Sequence, residues 1–147
     1  MGNSLLGFRT PDGTLCPGPF RSNEKLAYRM LSGDSYDGEV FSKLMGYLQL
    51  EGTPLLRLAN EDEDETAQHY DLLEDERWQS PSELASFLNL VLQRLDTSTP
   101  GSKVLDVDEE DLEDYLENFR LMFSDLLSMA RWAVEEGVLK IRLEWSG

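Results

Sequence analysis

The side chains of this chain that could do chemistry are mostly carboxylates. Of its 147 residues, 29 are aspartate or glutamate, against one histidine, His69, and one cysteine, Cys16. One nitrogen and one sulfur ligand cannot make a zinc site of the usual composition. A lone cysteine forms no internal disulfide, which is compatible with a reducing compartment. A Ser-His-Asp site would have to use His69, which lies beside an acidic segment, and no glycine-flanked serine elbow is present in the sequence.

Sites for phosphate, dinucleotides and calcium are also missing from the sequence. No glycine loop precedes a lysine, and no dinucleotide fingerprint occurs. Calcium prefers carboxylate oxygens, but residues 61–72 lack the alternating ligands and central glycine of a calcium loop. Catalytic carboxylates are few and partly buried, whereas these lie in dense runs. We therefore expect no enzymatic activity, no cofactor and no specific metal site.

The negative charge is confined to one part of the chain. Residues 1–60 contain six acids and six bases, so residues 61–147 carry 23 acids, seven bases and the whole formal charge of −16. No cluster of lysine or arginine could neutralise a nucleic-acid backbone. An anionic membrane surface is disfavoured for the same reason. We expect neither as a direct partner.

The carboxylates concentrate in two runs, nine of them in residues 61–77 and eight in residues 106–117. Trp78 and Tyr115 lie close to these runs, and aromatic anchors with complementary charge are typical of protein interfaces. Either run alone is explained equally well as a solvated loop or helix start, but both together favour a binding surface. The predicted partner-binding residues are Glu61, Asp62, Glu63, Asp64, Glu65, Trp78, Asp108, Glu109, Glu110, Asp111, Glu113, Asp114, Tyr115 and Glu117.

The second run begins the element that organises the chain, a long helix predicted over residues 108–136. Carboxylates crowd its first turns, where the helix dipole favours negative charge, and Gly137 suits the left-handed conformation that ends a helix. Apolar side chains recur at spacings of three and four, which places them on one buried face. They are Leu112, Tyr115, Leu116, Phe119, Met122, Phe123, Leu126, Leu127, Met129, Ala130 and Ala133.

Three other helices are predicted. Ser80 as a cap, Pro81 in the first position and Glu83 reaching back to the cap amide indicate a helix from residue 80 to about residue 95. Its stripe is Leu84, Phe87, Leu88, Val91, Leu92 and Leu95. Shorter helices are expected over residues 22–31 and 37–50, the latter with Val40, Phe41, Leu44, Met45, Tyr47 and Leu48 at helical spacing. Residues 97–103 are expected to be a flexible connector.

The remaining patterns predict a small sheet. Residues 3–9 and 14–20 flank Pro11, Asp12 and Gly13, which favour the reversal of a hairpin. Leu139, Ile141, Leu143 and Trp145 alternate with polar residues, as in a half-buried strand. A short strand is predicted over residues 53–59, a loop over residues 61–65, and a turn or short strand over residues 71–78.

These elements predict an α+β fold in one acidic domain over residues 1–147. A small, mainly antiparallel sheet, made of the N-terminal hairpin and the C-terminal strand, would be covered by about four helices, including the long helix at 108–136. No apolar run approaches the roughly 20 residues of a membrane span, and the N-terminus lacks a basic segment followed by an apolar one. We expect a soluble, cytoplasmic protein.

The leading functional hypothesis is a non-enzymatic domain that docks its acidic surface on a basic protein partner. Bacterial immunity proteins are small, acidic, cytoplasmic α+β domains that neutralise toxins whose sites are often basic, because their substrates are nucleic acids or nucleotides. This chain is similar to them in composition only. The alternatives are a chaperone or adaptor for a basic client, an inhibitor that mimics nucleic acid, and lastly an enzyme. A homodimer is also open, since the long helix has surplus apolar surface.

Overall fold

Helices predominate in the computed structural model, which describes residues 5–11, 15–16, 36–50, 59–60 and 78–146. The strands are β1 (Leu5–Arg9), β2 (Leu15–Cys16), β3 (Ala59–Asn60), β4 (Trp78–Gln79) and β5 (Ile141–Ser146), and the helices are α1 (Tyr36–Tyr47), α2 (Pro81–Thr97), α3 (Ser102–Leu105) and α4 (Glu109–Glu135). A small sheet beside several helices is compatible with the predicted α+β class. The predicted helix at 22–31 and the loop at 61–65 lie outside the described residues, as does the predicted strand at 53–59 except for Ala59, which begins β3.

The sheet is built around β5. β1 pairs antiparallel with β5 from Leu5↔Ser146 to Arg9↔Arg142, and β2 pairs antiparallel with β1. β4 is antiparallel to β5 and β3 is parallel to it. Arg142 pairs with both β1 and β4, so these two strands occupy opposite edges of β5. The predicted pairing of the N-terminal hairpin with the C-terminal strand is present.

Helix α4 forms where the sequence predicts it. Asp108 is its N-cap residue and three carboxylates occupy the first turn. Gly137 has a φ of 74°; its amide donates to Val134 O and that of Val138 to Ala133 O, the two bonds of a Schellman ending. The predicted apolar face is buried except for Leu112 and Tyr115, which are half-buried.

Helices α2 and α1 pack against α4. The Ser80 hydroxyl accepts a hydrogen bond from the Glu83 amide, as predicted, and Pro81 follows at the first position of α2. The Phe41 ring of α1 lies 6.4 Å from both the Phe119 and Phe123 rings, centroid to centroid. These aromatic contacts sit in one core formed by all three helices together with Leu105 and Ile141.

Helices α2 and α4 are antiparallel. Arg120 Nε lies 3.4 Å from Asp96 Oδ1, whereas Arg131 Nη2 donates to Asn89 Oδ1 at 3.2 Å. Moving forward along α4 therefore means moving backward along α2. The start of α4 lies beside the end of α2, and the end of α4 lies beside the start of α2.

Three details of the sequence prediction are wrong. Leu139 is 85% exposed and precedes β5, because the ending of α4 extends to Val138 and residues 139–140 only connect it to the strand, which begins at Ile141. Tyr47, the last residue of α1, is 39% exposed, because it lies on the solvent side of a turn whose Leu44, Met45 and Leu48 are buried in the core. The connector at 97–103 ends in the single turn of α3, whose Leu105 is fully buried and ties it to the core.

One buried group was missed altogether. Asp125 in the middle of α4 is 3% exposed, and it is not without a partner. A carboxylate at this depth is tolerated only when other groups satisfy it. The spacing of apolar residues carries no signal for such a position, because an acid within a helix is by default assigned to the solvent face.

Candidate protein-binding surface

The second acidic run lies at the beginning of α4, entirely on the protein surface. We call seven of its eight carboxylates, those from residue 108 onward, the acidic run, namely Asp108, Glu109, Glu110, Asp111, Glu113, Asp114 and Glu117. All seven are exposed. The first buried residues of the helix, Leu116 and Phe119, lie on the side away from Glu110 and Asp114. The apolar periodicity therefore separates these two charges from the core.

Helical spacing joins several of these charges into a continuous stripe. Glu109, Glu113 and Glu117 follow one another at intervals of four, and Glu110 and Asp114 form a parallel pair at the same interval. Side chains at this interval are neighbours, with about 5–6 Å between their Cβ atoms. The arrangement presents a dense array of negative charge over about two turns of one straight element.

No cation of the described residues neutralises the acidic run. The ion pairs found there join Arg120 to Asp96 and Lys43 to Asp106, and neither involves one of the seven carboxylates. The helix dipole accounts for the three acids of the first turn, because its effect falls off beyond that turn. Glu113, Asp114 and Glu117 lie farther along and receive little of this compensation.

Tyr115 stands at the border between the acidic run and the core. It is half-buried, and its ring centroid lies 6.3 Å from that of Phe119. The contact with Phe119 therefore fixes one side of the ring by packing, next to the carboxylates of the acidic run. This position fits the anchoring role that the sequence predicts for it.

Trp78 lies at the other end of the helix pair. It is in β4, three residues before α2 begins, and the Arg142 guanidinium carbon lies 5.1 Å from its ring centroid. From Pro81 to Asp96, which contacts α4 near the acidic run, α2 rises about 22 Å. The structure thus separates Trp78 from Tyr115 and the acidic run. Glu61, Asp62, Glu63, Asp64 and Glu65 lie outside the described residues.

A second polar feature was not predicted from the sequence. Where α1 ends, Gln49 adopts a φ of 59°, and its amide donates to Gly46 O while that of Leu50 donates to Met45 O. This is another Schellman ending, here with a non-glycine residue in the left-handed position. Arg94 of α2 donates from Nη1 to Leu48 O and Gln49 O. No sequence signal marks Arg94, because an arginine in the last turn of a helix is ordinary.

The described residues offer no alternative site of metal chemistry. Within those ranges, no three or more His, Cys, Asp or Glu side chains are grouped so as to hold a metal ion. Cys16 pairs with Phe8 in the hairpin, and His69 lies outside the described ranges. In the same part of the chain, no helix has both the length and the apolar character needed to cross a membrane.

Comparison with known proteins provides no relative. No protein-family model matches the chain, and neither a curated protein nor a solved structure matches it.

Proposed function

We propose that this chain is a non-enzymatic protein-binding domain that docks the acidic run of α4 on a basic protein surface. The observation that supports the proposal is the set of seven exposed carboxylates on one helix, with no neutralising cation among the described residues. A partner that presents lysine and arginine in a matching array would supply the missing counter-charges. Such complementarity favours fast association and excludes partners of the same charge.

The acidic run is held in place before any partner arrives. The same helix buries nine further side chains after residue 118, including the stacked rings of Phe119 and Phe123 at 6.0 Å. A rigid array loses little conformational entropy on binding, so more of the interaction energy appears as affinity. Tyr115, already packed on one side, would contribute apolar contact at a similarly low entropic cost.

Solubility alone does not account for the position of the charges. Each pair of like charges four residues apart destabilises a helix by about 0.2–0.5 kcal/mol. The run contains three such pairs, Glu109 with Glu113, Glu110 with Asp114, and Glu113 with Glu117. Charge spread over several elements would keep the chain soluble without this repulsion, so its concentration at the start of one helix favours a recognition role.

In its most specific form, the proposal is an immunity or antitoxin type of inhibitor. A toxin that acts on nucleic acid or nucleotides needs a basic site, and an acidic helix would block that site by charge complementarity. The similarity of this chain to bacterial immunity proteins in composition supports a toxin as the partner. A chaperone for a basic client would use the same surface, and only the identity of the partner separates the two.

The test begins with the partner. The intact chain is immobilised, its partner is captured from an extract of the source cell and identified by mass spectrometry, and association is then measured with the purified partner at two ionic strengths. The charge-reversal variant carries Glu109→Lys, Glu110→Lys, Glu113→Lys and Asp114→Lys. The matched control carries Glu39→Lys, Glu83→Lys, Glu135→Lys and Glu136→Lys, all exposed acids outside the run.

We expect association with the native chain to weaken as salt rises, because screening at 0.15 M limits exposed charges to about 8 Å. The charge-reversal variant should associate more slowly by a factor on the order of 10 or more, whereas the control should change much less despite the same net charge. Circular dichroism verifies that both variants are folded. Equal association rates for the two variants would refute the acidic run as the docking surface, and an acidic partner would refute the proposal itself.

A further inference from the structure

A cleft opens where α1 and α2 both end. Its volume is about 500 Å³, and the described residues that line it are Tyr47, Leu48, Gln49, Arg94 and Ser98. This size lies within the range of small-molecule sites. The described lining is mainly polar and includes one permanent positive charge, which is unusual in a chain with a formal charge of −16.

The guanidinium of Arg94 is fixed along one side. Nη1 donates to Leu48 O at 2.8 Å and to Gln49 O at 3.2 Å, which accounts for both of its hydrogens. Nε and Nη2 carry the other three, and no hydrogen bond from them to a described residue is present. The edge formed by Nε and Nη2 has the parallel geometry that binds a carboxylate or phosphate through two hydrogen bonds. Holding Nη1 orients that edge in advance.

Other donors lie around the same cleft. The Ser98 hydroxyl, the Gln49 side-chain amide and the Tyr47 hydroxyl can each donate to an oxygen atom. Gln49 is held in the left-handed conformation, which costs an ordinary residue about 1–2 kcal/mol. The hydrogen bond from Arg94 to its carbonyl helps to maintain that conformation.

The neighbouring helix ends select the charge of the ligand. Both α1 and α2 end at the cleft, and a helix C-terminus carries the equivalent of about −0.5 of an elementary charge. Two such ends repel any anion, and they repel a phosphate dianion about twice as strongly as a singly charged carboxylate, for which the hydrogen bonds to Nε and Nη2 of Arg94 remain the main attraction. We propose that this cleft binds a carboxylate, either of a small organic acid or of a peptide C-terminus. The site is separate from the acidic run, and the proposal does not depend on the function of that run.

The test uses the intact ¹⁵N-labelled chain and NMR titration. The probes are acetate, N-acetylglycine, its uncharged analogue N-acetylglycinamide, and inorganic phosphate, each compared with sodium chloride at equal ionic strength. We expect saturable shifts at the Arg94 Nε–H and the Ser98 amide with a carboxylate, and none with the amide analogue. Binding of acetate would identify a small acid as sufficient, whereas binding of N-acetylglycine alone would indicate a peptide C-terminus.

Two variants separate the site from the fold. Arg94→Lys keeps the charge but loses the two-pronged edge, and should weaken carboxylate binding by about tenfold or more, as expected for a hydrogen bond between charged groups. Ser98→Ala leaves the Arg94 contacts intact and should weaken binding by a few-fold while the chain stays folded by circular dichroism. The proposal would be overturned by carboxylate shifts no larger than those with chloride, by phosphate binding as tightly as carboxylate, or by unchanged affinity in both variants.

Discussion

The two halves of α4 are built from one continuous helix but meet opposite environments. Residues 109–118 bury a single side chain, Leu116, whereas residues 119–135 bury nine. The first half carries the acidic run and the second half forms the middle of the core. The apolar half thereby sets the direction and rigidity of the acidic half, since a helix propagates its axis once part of it is packed.

This difference predicts where a substitution acts. In the second half, side chains contact α1, α2 and each other, so their removal should change the free energy of unfolding. In the first half, the exposed side chains contact mainly water, so their removal should change binding and leave the fold in place. Each prediction below tests that division at a different point of the helix.

The largest effect is expected for Phe123→Ala. Phe123 is fully buried and its ring contacts both Phe41 and Phe119. Removing such a ring leaves a cavity and should lower the free energy of unfolding by about 3–5 kcal/mol, measured by urea denaturation. The matched control is Leu139→Ala, because Leu139 is 85% exposed and should cost under about 0.5 kcal/mol. Similar losses of unfolding free energy in the two variants would show that Phe123 does not lie in the core.

Much of this core could be predicted from sequence, and the reason is its periodicity. The stripe of α4 repeats over about six turns, so one exception such as Asp125 does not obscure it. The Ser80 cap and Gly137 each mark a helix end by a residue type that suits it. The end of α1 carries no such mark. Gln49 occupies the left-handed position that glycine usually takes. Its carbonyl accepts a hydrogen bond from Arg94, which is 45 residues away in the chain, so no local sequence pattern indicates this helix end.

The candidate surface was predictable in a different way. Charge counting located the acidic run, and helical periodicity placed it opposite the core. Nothing in the sequence, however, could show that Trp78 lies at the far end of α2 from Tyr115, because that depends on the antiparallel packing of α2 and α4. The Arg94 cleft escaped prediction for the same reason, since its residues come from two helices and meet only in the fold.

A smaller effect on stability is expected at the C-terminal ends of α4 and α1. Gly137→Ala places a Cβ on a residue with a φ of 74°, which should cost about 1–2 kcal/mol although there is space for the atom. Gln49→Gly makes the opposite change at a φ of 59° and should stabilise the chain by about 1 kcal/mol. Urea denaturation of both variants measures the two changes in the free energy of unfolding. Stabilisation by Gly137→Ala would show that the apolar half of α4 does not depend on this ending.

The smallest effect separates the acids of the first turn of α4 from those beyond it. Glu109→Gln removes a charge that the helix dipole favours by about 0.3–1 kcal/mol, so the variant should be neutral or slightly less stable. Glu113→Gln instead relieves repulsion from Glu109 and Glu117, each about 0.2–0.5 kcal/mol, and glutamine has nearly the same helix propensity. It should therefore stabilise the chain by about 0.4–1 kcal/mol at low salt.

The difference in the free energy of unfolding between Glu109→Gln and Glu113→Gln should shrink as salt rises, because both carboxylates are exposed and their charges are screened. Urea denaturation at two salt concentrations measures it. Stabilisation by Glu113→Gln would show that the charge of Glu113 opposes folding. Residues that oppose folding are expected at functional sites. Destabilisation by Glu113→Gln would instead give that carboxylate a structural role, and the acidic run beyond the first turn would then be explained by folding without any partner.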